Sequence, residues 1–155
     1  MANEVFNVAR GRIRHFVDEV DSGSGELRVF LLKANETEAD LIDHDDMDSL
    51  FGAAGNTEAD FSGYTNKVTP TDFDITTPAQ DDTNDRLDID IDDIAWTSAG
   101  AGNTLTKLIV GYDADGSDTD TTTIPLTHHD FAVSTDGSDL VANIDANGFY
   151  RSTVC

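Results

Sequence analysis

The densest chemistry in this chain is carboxylate. Residues 113–120, DADGSDTD, crowd Asp113, Asp115, Asp118 and Asp120 into one short loop. Ca²⁺ is the ion such a loop would hold, because it takes about six to eight hard oxygen ligands and closely spaced carboxylates on a flexible segment supply them. The spacing departs from an EF-hand: with Gly116 at the sixth loop position, Gly111 rather than an aspartate stands at the first, and no Glu falls near the twelfth. Of 155 residues 25 are Asp, so a solvated acidic loop competes with calcium at these four positions.

His128, His129 and Asp130 set acid–base groups side by side. Neighbours on a strand point to opposite faces, so the two imidazoles do not converge on one substrate or metal and are expected to be structural. No Ser or Cys stands in a nucleophile motif, no HExxH is present, and no Gly-rich loop leads from a strand into a helix. The carboxylates are too numerous to single out a glycosidase-like pair. Catalysis is therefore not expected, nor any cofactor beyond the calcium candidate. Asn35-Glu36-Thr37 matches the glycosylation acceptor pattern, as short triplets do by chance. The last candidates are Arg10, Arg12 and Arg14, which would contact an acidic partner; the competing use is to lie over the protein's own acidic surface.

The elements that must position these groups read as mostly β. The unit from Asp81 to Leu126 holds the only Trp and the cleanest alternation, with Leu87, Ile89 and Ile91 against Asp88, Asp90 and Asp92. After Asp92 the phase slips, and Ile94 and Trp96 fall on even numbers. A β-bulge at Asp92-Asp93 is expected to keep both halves in the core. Leu105 to Tyr112 is expected to return beside that strand, across the small-residue loop 97–104. Leu27 to Leu32 reads as a central strand, followed by strands near Phe61–Val68, Ile124–Val133, Leu140–Ile144 and Phe149–Arg151. Asp136-Gly137 and Asn147-Gly148 mark turns, the former a hairpin into Leu140, and Pro70 to Pro78 reads as a connector. Helical spacing predicts a helix over residues 5–20, weakened by Gly11, and a short one near Asp43 to Phe51 capped by Asp43 or Asp45. The expectation is a single domain over residues 1–155: an antiparallel β-sandwich or barrel of about seven strands, with one or two short helices in the N-terminal third. Within it, residues 1–20 form a docking segment and 81–151 the central and C-terminal β unit.

Charge sets the surface. Nine Lys and Arg face 31 Asp and Glu, a formal net charge of −22. Phosphate would be repelled, so nucleic acid is not an expected partner. At 38% hydrophobic residues in patterned runs the chain is not a disordered acidic tail. Self-repulsion of this size suits concentrated brine, where the Debye length falls to about 3 Å, and points to a halophilic source. The opening MANEVFNVARGR lacks the apolar core of a signal peptide, and no apolar run approaches the ~20 residues of a bilayer span. Cys155 is the only cysteine, expected as a free thiol.

Four stretches carry more than pattern. VFNVARGR at 5–12, DDTNDRLDIDIDDIAWT at 81–97, LIVGYDADGSDTDTTTIPLTHHDFAVSTDGSD at 108–139 and GFYRS at 148–152 together resemble small virion proteins of tailed phages and related viruses, described as minor capsid or decoration proteins. The Asp load departs from most relatives and implies a virus of a salt-loving, haloarchaeal host. The resemblance implies a non-enzymatic cement or turret protein, made in the host cytoplasm and bound on the capsid exterior to the major capsid protein. It would act as a homo-oligomer, trimer or pentamer, away from nucleic acid and membrane. A head–tail or tail accessory protein, a DNA-mimic inhibitor and a Ca-dependent binding module are the alternatives.

Overall fold

Alternation along one strand divides the interior in two. In β2 (Glu26–Ala34), Leu27, Val29 and Leu31 point into one apolar cluster while Phe30 and Leu32 point into another. A strand buried on both faces reads as a continuous apolar run, which is why ELRVFLLKA shows no period-2 signal. The computed structural model describes residues 3–153, with the side chains of 77–79 outside the description, and Cys155 also lies outside it.

β2 pairs antiparallel with β8 (Lys107–Asp113) over seven residue pairs, and β8 with β9 (Thr123–Asp130). The six-stranded sheet runs β1-β9-β8-β2-β3, where β1 is Asn3–Val5 and β3 is Thr57–Glu58; β4 (Lys67–Val68) also pairs with β2. On one face lie α2 (Glu38–Leu41) and α3 (Met47–Gly52), which bury Leu41, Met47 and Leu50 against Phe30, Leu32 and Ile109. On the other face lie α1 (Ile13–Asp21) and two small antiparallel sheets. One is β11-β6-β5, from Tyr150–Thr153, Arg86–Ile91 and Ile75–Asp81; the other is β10-β7, from Leu140–Ala142 and Ile94–Trp96. Their inward residues join Ile13, Phe16 and Val17 of α1 in the larger core. The protein is mostly β and sandwich-like, with eleven strands among the described residues rather than about seven, and three helices rather than one or two.

Several sequence expectations are corrected. The helix expected over 5–20 begins only at Ile13: Asn3–Val5 pairs with β9, a short 3-10 turn spans Asn7–Ala9, and Gly11 takes φ +74°. Sheet pairing and the burial of Phe6 override helical spacing there. Asp46, not Asp43 or Asp45, caps α3, accepting the Ser49 N–H at 2.7 Å, while Asp43 bonds the Asn7 side chain. Residues 75–81 are strand β5 and not connector; it lies at a sheet edge, and Pro78 falls in its register shift between Thr76 and Ala79, where a missing N–H is tolerated.

The break at Asp92-Asp93 goes further than a bulge. β6 and β7 belong to different sheets, and the mate of β7 is β10, with Trp96 opposite Leu140, rather than the 105–112 strand. The hairpin expected at Asp136-Gly137 is likewise absent, since that turn docks on the 97–104 loop, with Gly137 donating to the Ala99 carbonyl at 2.8 Å. Both phases still bury their apolar residues: Ile89, Ile91, Ile94 and Trp96 share one core. The N-terminal segment is part of this architecture. Removing residues 1–14 would strip β1 and the buried Phe6, Ala9 and Ile13, so deletion cannot separate docking from folding.

Candidate functional site

Three charged groupings stand out, and the acidic loop is the first. β2 places Arg28 on the helix-covered face, its guanidinium 4.8 Å over the Phe30 ring and only 2% exposed. It donates to Thr123 Oγ1 at 2.8 Å and lies 3.4 Å from Asp120 Oδ1 and 3.5 Å from Asp118 Oδ1. Asp113 is buried and accepts the N–H groups of Asp118 at 3.1 Å and Asp115 at 3.4 Å, plus the Thr122 hydroxyl at 3.3 Å. Asp115 caps Ser117, accepting its N–H at 3.1 Å, and that side chain's bonding lowers its pKa.

The four calcium candidates thus serve different ends. Asp113 and Asp115 hold the loop's turns, while Asp118 and Asp120 flank a buried guanidinium. Among the described residues no three His, Cys, Asp or Glu side chains gather as a metal-holding group. Burial, aided by Asp118 and Asp113, raises the pKa of Glu26, and burial raises that of Asp120 despite Arg28. Arg28 was missed in the sequence because it hides in an apolar run; a lone cation between Leu27 and Val29 was the available signal.

The second grouping surrounds Lys107, which bonds Glu38 Oε1 and Asp130 Oδ1 at 2.5 Å each. Burial opposes its charge, but the bonds to Asp130 and Glu38 prevail and raise its pKa. His128 is fully buried beside it, edge-on to Phe6 at 5.6 Å and 3.4 Å from Glu38 Oε2. Burial and then Lys107 lower its pKa. His129 points to the other face, bonds Thr127 Oγ1 at 2.9 Å, and is pushed down to about 4 by burial, with His128 and Lys107 adding.

A neutral native His129 has a definite pH signature. Its folded pKa lies below the unfolded value of 6.5, so the unfolded chain binds the extra proton and stability falls as pH drops from 6.5 towards 4. The shift is worth up to about 3 kcal/mol at about 1.4 kcal/mol per unit. We expect His129→Gln to flatten the stability profile across that window by about 2–3 kcal/mol relative to the parent, in urea titrations at constant molar KCl. Parallel profiles would show that His129 does not titrate this way.

The third grouping is the basic one. Arg10, Arg12 and Arg14 are exposed around the start of α1; Arg12 occupies its N-cap without a side-chain cap, and no acid stands in the first turn. Arg14 pairs with Asp18 at 2.6 Å, and Arg12 lies 4.7 Å over the Phe16 ring. Of the nine Lys and Arg side chains, only Arg10 and Arg12 lack a carboxylate within ion-pair distance among the described residues. No family model, curated protein or solved structure matches this chain.

Proposed function

We propose that the protein is a non-enzymatic structural component of a halophilic tailed virus, a decoration protein held on the capsid exterior through the Arg10, Arg12 and Arg14 face. The observation that carries the proposal is that Arg10 and Arg12 are exposed and have no carboxylate within ion-pair distance among the described residues. With 31 acids in the chain, seven cations find carboxylate partners among the described residues and these two do not. They flank the positive end of the α1 dipole, so charge from the helix and the side chains draws an acidic surface to one place. In brine such attraction acts only at contact, and Arg suits it because its planar fork binds a carboxylate through two parallel hydrogen bonds.

The test uses intact particles of the virus that encodes the chain. The wild-type protein is expected to co-sediment with them in molar salt, in many copies relative to the major capsid protein. Arg10→Glu/Arg12→Glu is expected to lower its particle affinity at least tenfold while leaving the far-UV CD spectrum unchanged. Absence of the wild type from purified particles would end the capsid assignment; undiminished binding of the double variant would end the role of this face.

A further inference from the structure

We infer that residues 3–6 form an acid-released strap: β1 and Phe6 close over His128 while its ring is neutral, and protonation of that ring opens them. His128 is fully buried, and neither of its ring nitrogens has a hydrogen-bond partner among the described residues. A neutral imidazole offers one donor and one acceptor, so both stand unused, and an imidazolium would bring two donors into the same enclosure. The end of the sheet supplies that enclosure. β1 sets Glu4 opposite His128, Phe6 lies edge-on to the ring at 5.6 Å, and Ile109 of β8 is the neighbour on the other side.

The surrounding charges oppose an imidazolium held in place. Lys107 of β8 is the adjacent cation, and it already bonds Glu38 and Asp130. Glu38 of α2 brings Oε2 to 3.4 Å from His128 Nε2 without a hydrogen bond, and Glu4 of β1 adds a second carboxylate on this side. α3 contributes Met47 and Leu50 to this core while its Asp48 is exposed. His129 turns to the opposite face, in a cavity with Asp145 and Arg151, and is a like charge whenever it is protonated. Burial and then Lys107 outweigh the carboxylates, so the closed state binds the proton less readily than a hydrated ring does. Acid therefore favours whatever opening wets His128. The strap is that opening: β1 is three residues long, lies at the end of the sheet and pairs only with β9 among the described residues. At neutral pH the burial of Phe6 keeps it shut. Opening stops at Asn7, whose N–H donates to the Ile42 carbonyl at 2.9 Å and whose side chain bonds Asp43, so α1 keeps its place. Release bares β9 along Thr127 to His129, and a covered strand becomes a sheet edge. The device is independent of the Arg10–Arg12 face.

The test is amide hydrogen exchange of the full ¹⁵N-labelled chain in molar KCl between about pH 7.5 and about pH 5.5, corrected for intrinsic rates. Phe6 donates to the Leu126 carbonyl at 3.0 Å, and ladder alternation puts Glu4 in the same hydrogen-bonded class, so these two amides report the strap. Their protection is expected to fall about tenfold per pH unit below about 6.5, the slope of one proton taken up on opening, and to stay below that of Phe30 throughout. In His128→Gln and in His128→Leu the same protection is expected to hold level within about twofold, because no proton is taken up there. One replacement is polar and the other apolar, which keeps the comparison if either fails to fold. Protection independent of pH in the wild type, a slope that survives in either variant, or exchange of Glu4 and Phe6 only together with Phe30 would each overturn the inference.

Discussion

Trp96→Ala is expected to lower the unfolding free energy by about 3–5 kcal/mol, the range for truncating a buried aromatic. Trp96 is 1% exposed at the end of β7, and its Nε1 donates to the Thr65 carbonyl at 2.8 Å, tying the 57–68 region to the β7-β10 pair. Trp96→Phe separates the two contributions. It keeps most of the apolar burial but leaves the Thr65 carbonyl without its donor, so it is expected to cost about 1–3 kcal/mol. Both variants are compared with the parent by far-UV CD in guanidinium titrations at constant ionic strength, since the Trp fluorescence is lost with the residue. A cost below about 1 kcal/mol for Trp96→Ala would show that β7 does not lie in the shared core.

Arg28→Ala is the second large effect, expected at about 3 kcal/mol. Breaking a fully buried ion pair costs about 3–5 kcal/mol, but Asp118 and Asp120 are 68% and 40% exposed, so water recovers part of what the guanidinium supplied. The remainder comes from its packing over Phe30 and the bond to Thr123. Arg28→Lys is expected to recover less than half, because an ammonium cannot stack on the ring while reaching Thr123 and both carboxylates. Adding Asp118→Asn and Asp120→Asn to Arg28→Ala is expected to restore about 1 kcal/mol by removing unneutralised charge. If the triple variant is no more stable than Arg28→Ala, repulsion within the loop contributes nothing, and packing over Phe30 with the bond to Thr123 accounts for the whole loss. Urea titration in molar KCl reads all three.

How much of this was legible depended on range. The strand between Leu87 and Trp96 announced its phase slip, because alternation is local and Asp92-Asp93 sit where it fails. What lay across from each half was not legible: β7 finds Leu140 some forty residues away, and no local signal distinguishes that mate from the nearer 105–112 strand. The N-terminal helix was half right for a related reason. Ile13, Phe16 and Val17 do form the buried side of α1, but the residues before Gly11 are claimed by a long-range pairing with β9. Thr76, Thr77 and Pro78 make β5 resemble a connector, though an edge position with a register shift accommodates them.

The charged groups divide in the same way. Four closely spaced aspartates read as a ligand set, while Asp118 and Asp120 flank Arg28, which lies 90 and 92 positions earlier and meets them only in the folded sheet. Arg10, Arg12 and Arg14 were visible as a cluster from the start. That two of them lack a carboxylate among the described residues is visible only once every other cation is placed.

β2 has one further consequence, for cooperativity. Leu27, Val29 and Leu31 complete one core and Phe30 and Leu32 the other, so opening either apolar cluster strips one face of the strand. The helix-covered side and the small-sheet side are therefore expected to melt together in a single transition. The amides of Arg28, Phe30 and Leu32, which alternate with the Leu27 and Leu31 amides bonded to Thr69 and Tyr64, are then expected to exchange only through global unfolding, so that their protection measures the stability of the whole molecule.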